Sequence, residues 1–284
     1  MAAWLATAKQ KVGSIKHIPA QWRQPLADFQ PPPYNEAVVL NMPFKKWFKP
    51  TFAGLEHLDA SKPALYISNH ALFGMDAPSL LLELYLLKNI YLRGAADRVF
   101  FHPALFFFGH ILRQFGAFEG SRDNIHRLMA QGEHILLYPG GGREALKNRD
   151  ERYQLLWKDR YGFLELALQH GYDIIPFASH GVDDLLDVRY DANDFRQSAL
   201  GRRLYHIEKI YHLMREGDVF VPFATGFKGV PYLPKPVPLH FQFFPRIETR
   251  HIPVQFHDEV KYKLRDQIEQ VLTHALAPAQ AQHS

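Results

Sequence analysis

A histidine and an aspartate, His70 and Asp76, are the residues of this chain best suited to proton transfer. A short apolar run, Ala64-Leu-Tyr-Ile, leads through a serine to Asn69 and His70, and Asp76 follows after five intervening residues. An imidazole with a carboxylate close behind it is the minimum set for a general base and the group that orients it. The spacing predicts His70 as a base, Asp76 as its partner and Asn69 as a supporting residue.

A run of glycines supplies a second segment that could take part in chemistry, Pro139-Gly-Gly-Gly-Arg-Glu. Without side chains, the backbone N–H groups of Gly140, Gly141 and Gly142 can approach an anion or a developing oxyanion closely. Arg143 adds a cation that can hold phosphate through two hydrogen bonds. A tight turn that needs positive φ, with Arg143 in solvent, is an equally open interpretation.

Arg122 is a third candidate, because it directly precedes a predicted helix, a place that suits a phosphate-binding arginine as well as a surface one. Other chemistries lack their signatures. The chain has no cysteine, no Gly-x-Ser-x-Gly, no His-Glu-x-x-His and no Gly-x-Gly-x-x-Gly after the first strand. Thiolate catalysis, a nucleophile elbow, a zinc protease site and a dinucleotide site are therefore not expected, and neither is a bound metal.

Alternating strands and helices must position these residues. The hydrophobic pattern predicts strands at 64–68, 89–93, 134–138 and 173–177, and helices at 78–88, 102–113, 123–131 and 162–170. This alternation predicts an α/β fold with a mostly parallel central sheet flanked by helices. The segments that begin at His70, Pro139 and Ser179 each follow a predicted strand, so we expect them to meet at the carboxyl edge of the sheet, where ligands bind.

Three regions are expected along the chain: a membrane-associating arm at 1–55, an α/β domain at 56–256, and an amphipathic helix with a polar tail at 257–284. The arm combines a short helix near 2–14, a proline-rich connection and the aromatic and basic stretch 43–50, which suits a membrane interface or an ordinary packing role. Late edge strands are predicted within 229–256. The final helix is predicted to end at Pro278.

Charge and composition favour a membrane surface over nucleic acid. The net charge of the 284-residue chain is +4, and 14% of its residues are aromatic. This charge is too small to indicate nucleic acid binding, whereas it suits an anionic membrane or substrate. The uncharged stretch 99–112 is shorter than the roughly 18 residues that cross a bilayer. We expect a chain without a signal peptide that lies on a membrane without crossing it.

Four segments, taken in order, resemble the motifs of the glycerolipid acyltransferase superfamily, of the 1-acylglycerol-3-phosphate acyltransferase type. The segments are Asn69-His70 with Asp76, Gly116-Ala-Phe-Glu-Gly-Ser-Arg122, Leu137-Tyr-Pro-Gly-Gly-Gly-Arg143-Glu144 and Ile174-Ile-Pro176-Phe. The resemblance covers roughly residues 60–250.

Two departures from the common motif pattern indicate which branch of the superfamily this sequence resembles more. The common first motif has four residues between its histidine and aspartate, whereas here five intervene and Met75 holds the usual aspartate position. The common third motif reads Phe-Pro-Glu-Gly-Thr-Arg, whereas here Gly140 replaces the glutamate and Glu144 follows the arginine. Pro-Gly-Gly-x-Arg-Glu is more similar to the diacylglycerol acyltransferase-like and phytyl ester synthase-like branches.

The resemblance implies transfer of a fatty acyl group from acyl-CoA, or from an acyl carrier protein thioester, to a lipid hydroxyl, with no other cofactor and no acyl-enzyme. In that scheme His70 is the base, Asp76 holds its ring, and the amides of Gly140 to Gly142 bind the oxyanion. Arg122 and Arg143 would bind phosphate. Glu144 would position Arg143 or the acceptor hydroxyl.

Insoluble acyl chains imply a peripheral or monotopic enzyme at the cytoplasmic face of a membrane. The expected contacts are the aromatic residues of 44–48 and the apolar stretch 100–111, whose phenylalanines suit a protein core equally well. The acceptor stays open between lysophosphatidate, monoacylglycerol, diacylglycerol and other alcohols. A lipid-binding scaffold without turnover and a thioesterase or lipase are the alternative functions.

Overall fold

A computed structural model describes residues 29–101, 106–205 and 220–282 of the chain. The strands are β1 Thr51–Ala53, β2 Ala64–Ile67, β3 Arg93–Ala96, β4 Phe118–Glu119, β5 Ile135–Leu137, β6 Asp173–His180, β7 Asp187–Tyr190, β8 Phe223–Thr225 and β9 His240–Phe243. The α-helices are α1 Tyr34–Phe48, α2 Ala77–Lys88, α3 Phe106–Gln114, α4 Arg122–Ala130, α5 Gly141–Ala145, α6 Gly162–His170, α7 Ala192–Gln197, α8 Ala199–Tyr205 and α9 His257–Ala281.

A seven-stranded sheet in the order β1-β9-β6-β2-β5-β3-β4 forms the centre of the described fold. Its neighbouring strands are parallel except for β6 and β9, which are antiparallel. Strands β7 and β8 form a separate antiparallel pair. The expected α/β class, with a mostly parallel sheet flanked by helices, is confirmed.

Strand β2 lies between β5 and β6 and brings the predicted motifs to one edge. Ile67 is in register with Leu137 of β5 and with Pro176 of β6. The residues that follow β2 and β5 therefore leave the sheet at the same level and on the same side. All four residues of β2 are fully buried, as expected for a strand that is covered on both faces.

The side chain of Asn69 joins the end of β2 to β6. Its Nδ2 donates to the carbonyl of Ser179 at 3.0 Å, and its Oδ1 accepts from the N–H of Ser179 at 2.8 Å. These two bonds reproduce a backbone pairing just where β2 has ended. Because Asn69 is fully buried, both of its amide groups need such partners. The pair fixes the backbone immediately before His70.

The C-terminal helix confirms the predicted amphipathic stripe, with Leu264, Ile268, Leu272 and Leu276 all buried. Its end differs from the prediction, because α9 continues through Pro278 to Ala281. A proline in the last turn removes only one hydrogen bond, and the packing of the stripe outweighs this loss. The helix predicted at 162–170 is confirmed with the same bounds.

Two strand predictions were wrong. The strand expected at 89–93 lies at Arg93–Ala96, because Asn89 ends α2 in the left-handed conformation and residues 90–92 form a buried connection. Within 229–256, the structure has β9 between β1 and β6, which is an interior position and not an edge. Sequence pattern identifies a strand better than it identifies the neighbours of that strand.

The sheet and its helices extend into the segment that the sequence assigned to the arm. Strand β1 pairs with β9, and α1 packs against α2 through a hydrogen bond of 2.7 Å from Asn41 to Glu83. Phe48 is buried, and Trp47 donates from Nε1 to the carbonyl of Pro234 at 3.0 Å. The helix predicted near 2–14 lies outside the described residues. Among the helices that the structure describes, none is long and apolar enough to span a bilayer.

Candidate active site

His70 lies three residues beyond β2, at the carboxyl edge of the sheet, and is half-buried. Its Nδ1 is 2.7 Å from the carbonyl oxygen of Ala71. Because a carbonyl can only accept, Nδ1 must carry the ring proton in this arrangement. The lone pair of the neutral ring is then on Nε2, where it can accept a proton from a bound hydroxyl.

Burial keeps the imidazole of His70 uncharged at neutral pH. Desolvation lowers its pKa to about 4, against the opposing effect of the hydrogen bond to Ala71, and the charge of Lys147 lowers it further. A general base has to be unprotonated before the reaction begins. His70 meets this condition throughout the physiological range.

Tyr138, at the end of β5, packs against the ring of His70 with 4.2 Å between the ring centroids. Its hydroxyl is buried without a hydrogen-bond partner, and burial raises its pKa well above the usual value. Tyr138 is not among the residues that the sequence motifs predicted for the site. Its place directly before Pro139, at the predicted strand end, was the signal that could have identified it.

Asp76 is fully buried at the start of α2, and its carboxylate is approached by the backbone amides of Asp76 and Ala77 and not by the ring of His70. The expected bond from Asp76 to the ring of His70 is therefore absent, and the carbonyl of Ala71 takes its place. The residues between them form a short 3-10 turn in which Phe73 and Gly74 have positive φ. Burial raises the pKa of Asp76 to about 7.

Glu144 is also fully buried, and its Oε1 accepts a hydrogen bond of 3.0 Å from the backbone N–H of His70. Burial raises the pKa of its carboxyl to about 7. The expected partner Arg143 instead forms an ion pair with Glu151. The carboxylate thus contacts the backbone of His70 and not the arginine beside it in sequence.

The glycine turn leads from β5 into the short helix α5. The N–H of Gly141 donates to the carbonyl of Tyr138 at 2.9 Å, and the φ of Gly141 is +50°, which favours glycine. Arg160 donates to the carbonyls of Pro139 and Gly140. Of the three amides expected to bind an oxyanion, that of Gly141 therefore already has a partner within the turn.

A groove of about 440 Å³ runs from Tyr138 toward Arg122. Arg122 and Arg160 both line it. Arg122 is exposed and forms an ion pair with Glu165, whose other oxygen is 3.5 Å from Nζ of Lys261. Tyr138, which lines this groove, is also the residue whose ring packs against His70.

Arg143 lies elsewhere. It lines a second cavity of about 640 Å³, together with Glu151, Asn193 and Arg196. The cavity that holds Arg143 therefore has no lining residue in common with the groove that holds Arg122. The two arginines that the resemblance implied as phosphate-binding residues therefore line different cavities.

A buried ion pair that no sequence pattern predicted lies close enough to shift the pKa values of the site. Nζ of Lys147 is 2.9 Å from Oδ2 of Asp183, and both side chains are almost completely buried. The same oxygen accepts from the N–H of Tyr153 at 2.6 Å. The charge of Lys147 opposes the desolvation that raises the pKa values of Asp76 and Glu144.

Comparison with known proteins decides the family. A model of the diacylglycerol acyltransferase family matches residues 70–232, which is more than half of the chain. The chain belongs to the diacylglycerol acyltransferase family. The resemblance to acyltransferases drawn from the four motifs is thereby confirmed.

Several relatives of the family are similar in sequence. The chain is 34% identical over 176 residues to phytyl ester synthase 2, chloroplastic, of Arabidopsis thaliana, covering 58% of this chain and 24% of that protein. It is 30% identical over 191 residues to the human DGAT1/2-independent enzyme synthesizing storage lipids, covering 65% of this chain and 52% of that protein. The chain thus spans about a quarter of the plant relative and about half of the human one.

A solved structure also matches part of the fold. It is the 1-acyl-sn-glycerophosphate acyltransferase PlsC of Thermotoga maritima, with a TM-score of 0.49 and 12% identity over 87% of this chain and 80% of that chain.

The buried carboxyl groups predict how stability changes with pH. The folded state keeps Asp76 protonated up to a pKa of about 7, whereas an unfolded aspartate loses its proton near 3.8. Its contribution to stability is therefore present below about pH 4 and is lost as the pH rises to 7. Glu144 acts in the same direction, and His70, with its lowered pKa, acts in the opposite one.

Asp76→Asn should remove the part of this dependence that belongs to Asp76. The free energy of unfolding of the variant, measured by urea titration at pH 4.5, 6 and 8, should rise relative to that of the parent chain as the pH rises, by about 3 kcal/mol between pH 4.5 and 8. The exposed Asp150→Asn is the matched control. Parallel pH curves for Asp76→Asn and the parent would show that Asp76 is not a buried titrating group.

Proposed function

We propose that this chain transfers a fatty acyl group from a thioester to the hydroxyl of a lipid, with His70 as the general base. The observation that carries the proposal is the neutral His70 ring, with its lone pair on Nε2, packed against Tyr138, which lines a groove with two arginines. Membership of the diacylglycerol acyltransferase family supports the same reaction.

The proposed reaction is a direct displacement. Nε2 of His70 takes the hydroxyl proton while the acceptor oxygen forms a bond to the thioester carbonyl carbon. The carbonyl electrons move to oxygen, and the amides of Gly140 and Gly142 are the candidates to stabilise that oxyanion. When the intermediate collapses, the carbon–sulfur bond breaks and the thiolate takes the proton from His70. The base is then neutral again.

Phosphate groups of the donor match the groove. Acyl-CoA and the phosphopantetheine of an acyl carrier protein both carry phosphate, which guanidinium groups bind well. Arg122 is exposed at the groove, and its partner Glu165 also has Lys261 within reach, so a phosphate could replace Glu165 without leaving that carboxylate unpaired. Arg143, in the other cavity, has no part in this scheme.

A neutral lipid alcohol is the acceptor class that we favour. The names of the plant and human relatives refer to a phytyl ester and to storage lipids. Long-chain alcohols and partial glycerides both offer a hydroxyl without an adjacent phosphate. The acceptor then needs only the base and an apolar surface, whereas the arginines serve the donor.

An exposed aromatic surface near His70 is the candidate for membrane contact. Phe223 and Tyr232 are both exposed, and their rings contact each other. Tyr232 also packs against Phe73, three residues from His70, with 5.6 Å between ring centroids. Phe48, an expected contact, is instead buried, and Phe44 and Trp47 are half-buried. We propose this surface as the site of peripheral attachment to the cytoplasmic face of a membrane.

His70→Ala should lower acyl transfer by about 10²- to 10⁴-fold, the usual contribution of a general base. The assay follows thiol release from long-chain acyl-CoA in the presence of diacylglycerol, monoacylglycerol, lysophosphatidate or a long-chain alcohol, with products identified by mass spectrometry. The exposed His110→Ala should retain activity. Unchanged transfer in His70→Ala would refute the base, and acceptor-independent release of fatty acid would indicate a thioesterase.

Arg122→Ala should raise the KM for acyl-CoA by about 10-fold or more, because a charge-assisted hydrogen bond is lost, and should leave kcat nearly unchanged. The KM for the phosphate-free donor S-acyl-N-acetylcysteamine should be the same in the variant and the parent. Arg127→Ala, an exposed arginine on the same helix, is the matched control. An equal rise in KM with both donors would show that Arg122 does not bind the phosphate of the donor in this groove.

A further inference from the structure

The carboxyl of Glu144 and the backbone of His70 are joined across two loops. The two residues are 74 positions apart, and Oε1 of Glu144 accepts the N–H of His70 at 3.0 Å. Helix α5, which follows β5, is thereby bound to the loop after β2. The bonded N–H belongs to the residue that carries the candidate base, so the contact bears directly on where that imidazole lies.

The backbone conformation of Gly140 does not require a glycine, so the reason for a glycine lies in the surroundings of the residue. Its φ of −65° and ψ of −20° are ordinary right-handed helical values that any residue adopts. A Cβ at this position would lie 1.9 Å from Oε2 and 2.5 Å from Cβ of Glu144, far inside van der Waals contact. The space beside Gly140 is therefore occupied by Glu144, and a side chain at 140 could not coexist with it.

Glu144 has no charged partner in this position. The nearby cations are engaged with other acids, Arg143 with Glu151 and Lys147 with Asp183. The side chain of Trp157 also approaches the Glu144 carboxyl as a hydrogen-bond donor and opposes the rise in its pKa. A fully buried carboxyl without a cation bonded to it is costly, and an ion-pair role would not place it here.

We infer that Glu144 is a positioning residue that holds the His70 backbone, and that Gly140 is required because the Glu144 carboxylate occupies the space beside it. The inference rests on the proposed function only where it concerns the rate of acyl transfer. The contact itself can be tested without activity. Because the role of Glu144 is to accept a hydrogen bond at Oε1, a glutamine at this position, whose amide oxygen also accepts, should preserve that role.

The rate test compares substitutions that keep or remove the accepting oxygen. Glu144→Gln should retain kcat within about threefold, whereas Glu144→Ala should lower kcat about 10- to 100-fold with little change in KM, as expected when a base is misplaced. Gly140→Ala should lower kcat to a similar extent. Gly94→Ala is the control, because a Cβ there would meet nothing within 4 Å.

A double-mutant cycle separates this account from a general need for glycine. Glu144→Gly removes both the carboxyl and the Cβ that would lie 2.5 Å from a methyl group at position 140. In that background, adding Gly140→Ala should change kcat by less than twofold and Tm by only a few degrees. If Gly140→Ala costs as much in that background as in the parent, the glycine does not serve Glu144 and the inference fails.

Amide hydrogen exchange at His70, followed by NMR, gives a readout that does not need turnover. Glu144→Ala should speed exchange of the His70 N–H by at least about tenfold relative to amides of β2, and Glu144→Gln should not. Unchanged exchange in Glu144→Ala would overturn the inference. If no variant or parent transfers acyl groups, the proposed function fails, whereas the exchange result and the stability cycle still decide the role of Glu144.

Discussion

Two buried contacts on consecutive residues hold the candidate site together. The side chain of Asn69 bonds to both backbone groups of Ser179, and the N–H of His70 bonds to Glu144. The bonds connect the loop after β2 to strand β6 on one side and to helix α5, which follows β5, on the other, at the carboxyl edge of the sheet. The imidazole therefore projects from a backbone that is fixed on both sides, which is the condition for a base whose position must be accurate.

This arrangement places several ionisable groups in a region with little water. Asp76 and Glu144 are fully buried with pKa values raised to about 7, while the Lys147–Asp183 pair supplies one positive and one negative charge. Burial of these ionisable groups makes the folded state less stable, as is common where a site is organised for function. In return, the low polarity keeps His70 uncharged and strengthens any hydrogen bond to a developing oxyanion.

Sequence pattern predicted the parallel sheet, the place of His70 at its edge and the stripe of α9, because periodicity and strand ends follow local rules. It did not predict the partners of the site residues. The spacing predicted Asp76 as the partner of His70. In the structure the residues between them form a turn with positive φ at Phe73, and the imidazole is hydrogen-bonded to the carbonyl of Ala71. Tyr138 and Arg160 enter the site through contacts between distant segments, which no single-sequence pattern encodes.

The proposed role of His70 depends on a neutral ring with its lone pair on Nε2. Nitrogen-15 NMR of the imidazole across pH 3.5 to 8 measures both properties, with the signal assigned by its loss in His70→Ala. We expect a ring protonated on Nδ1 alone at pH 7, and a pKa of about 4. A proton on Nε2 at pH 7, or titration at or above the ordinary histidine value of 6.5, would show that His70 is not this base.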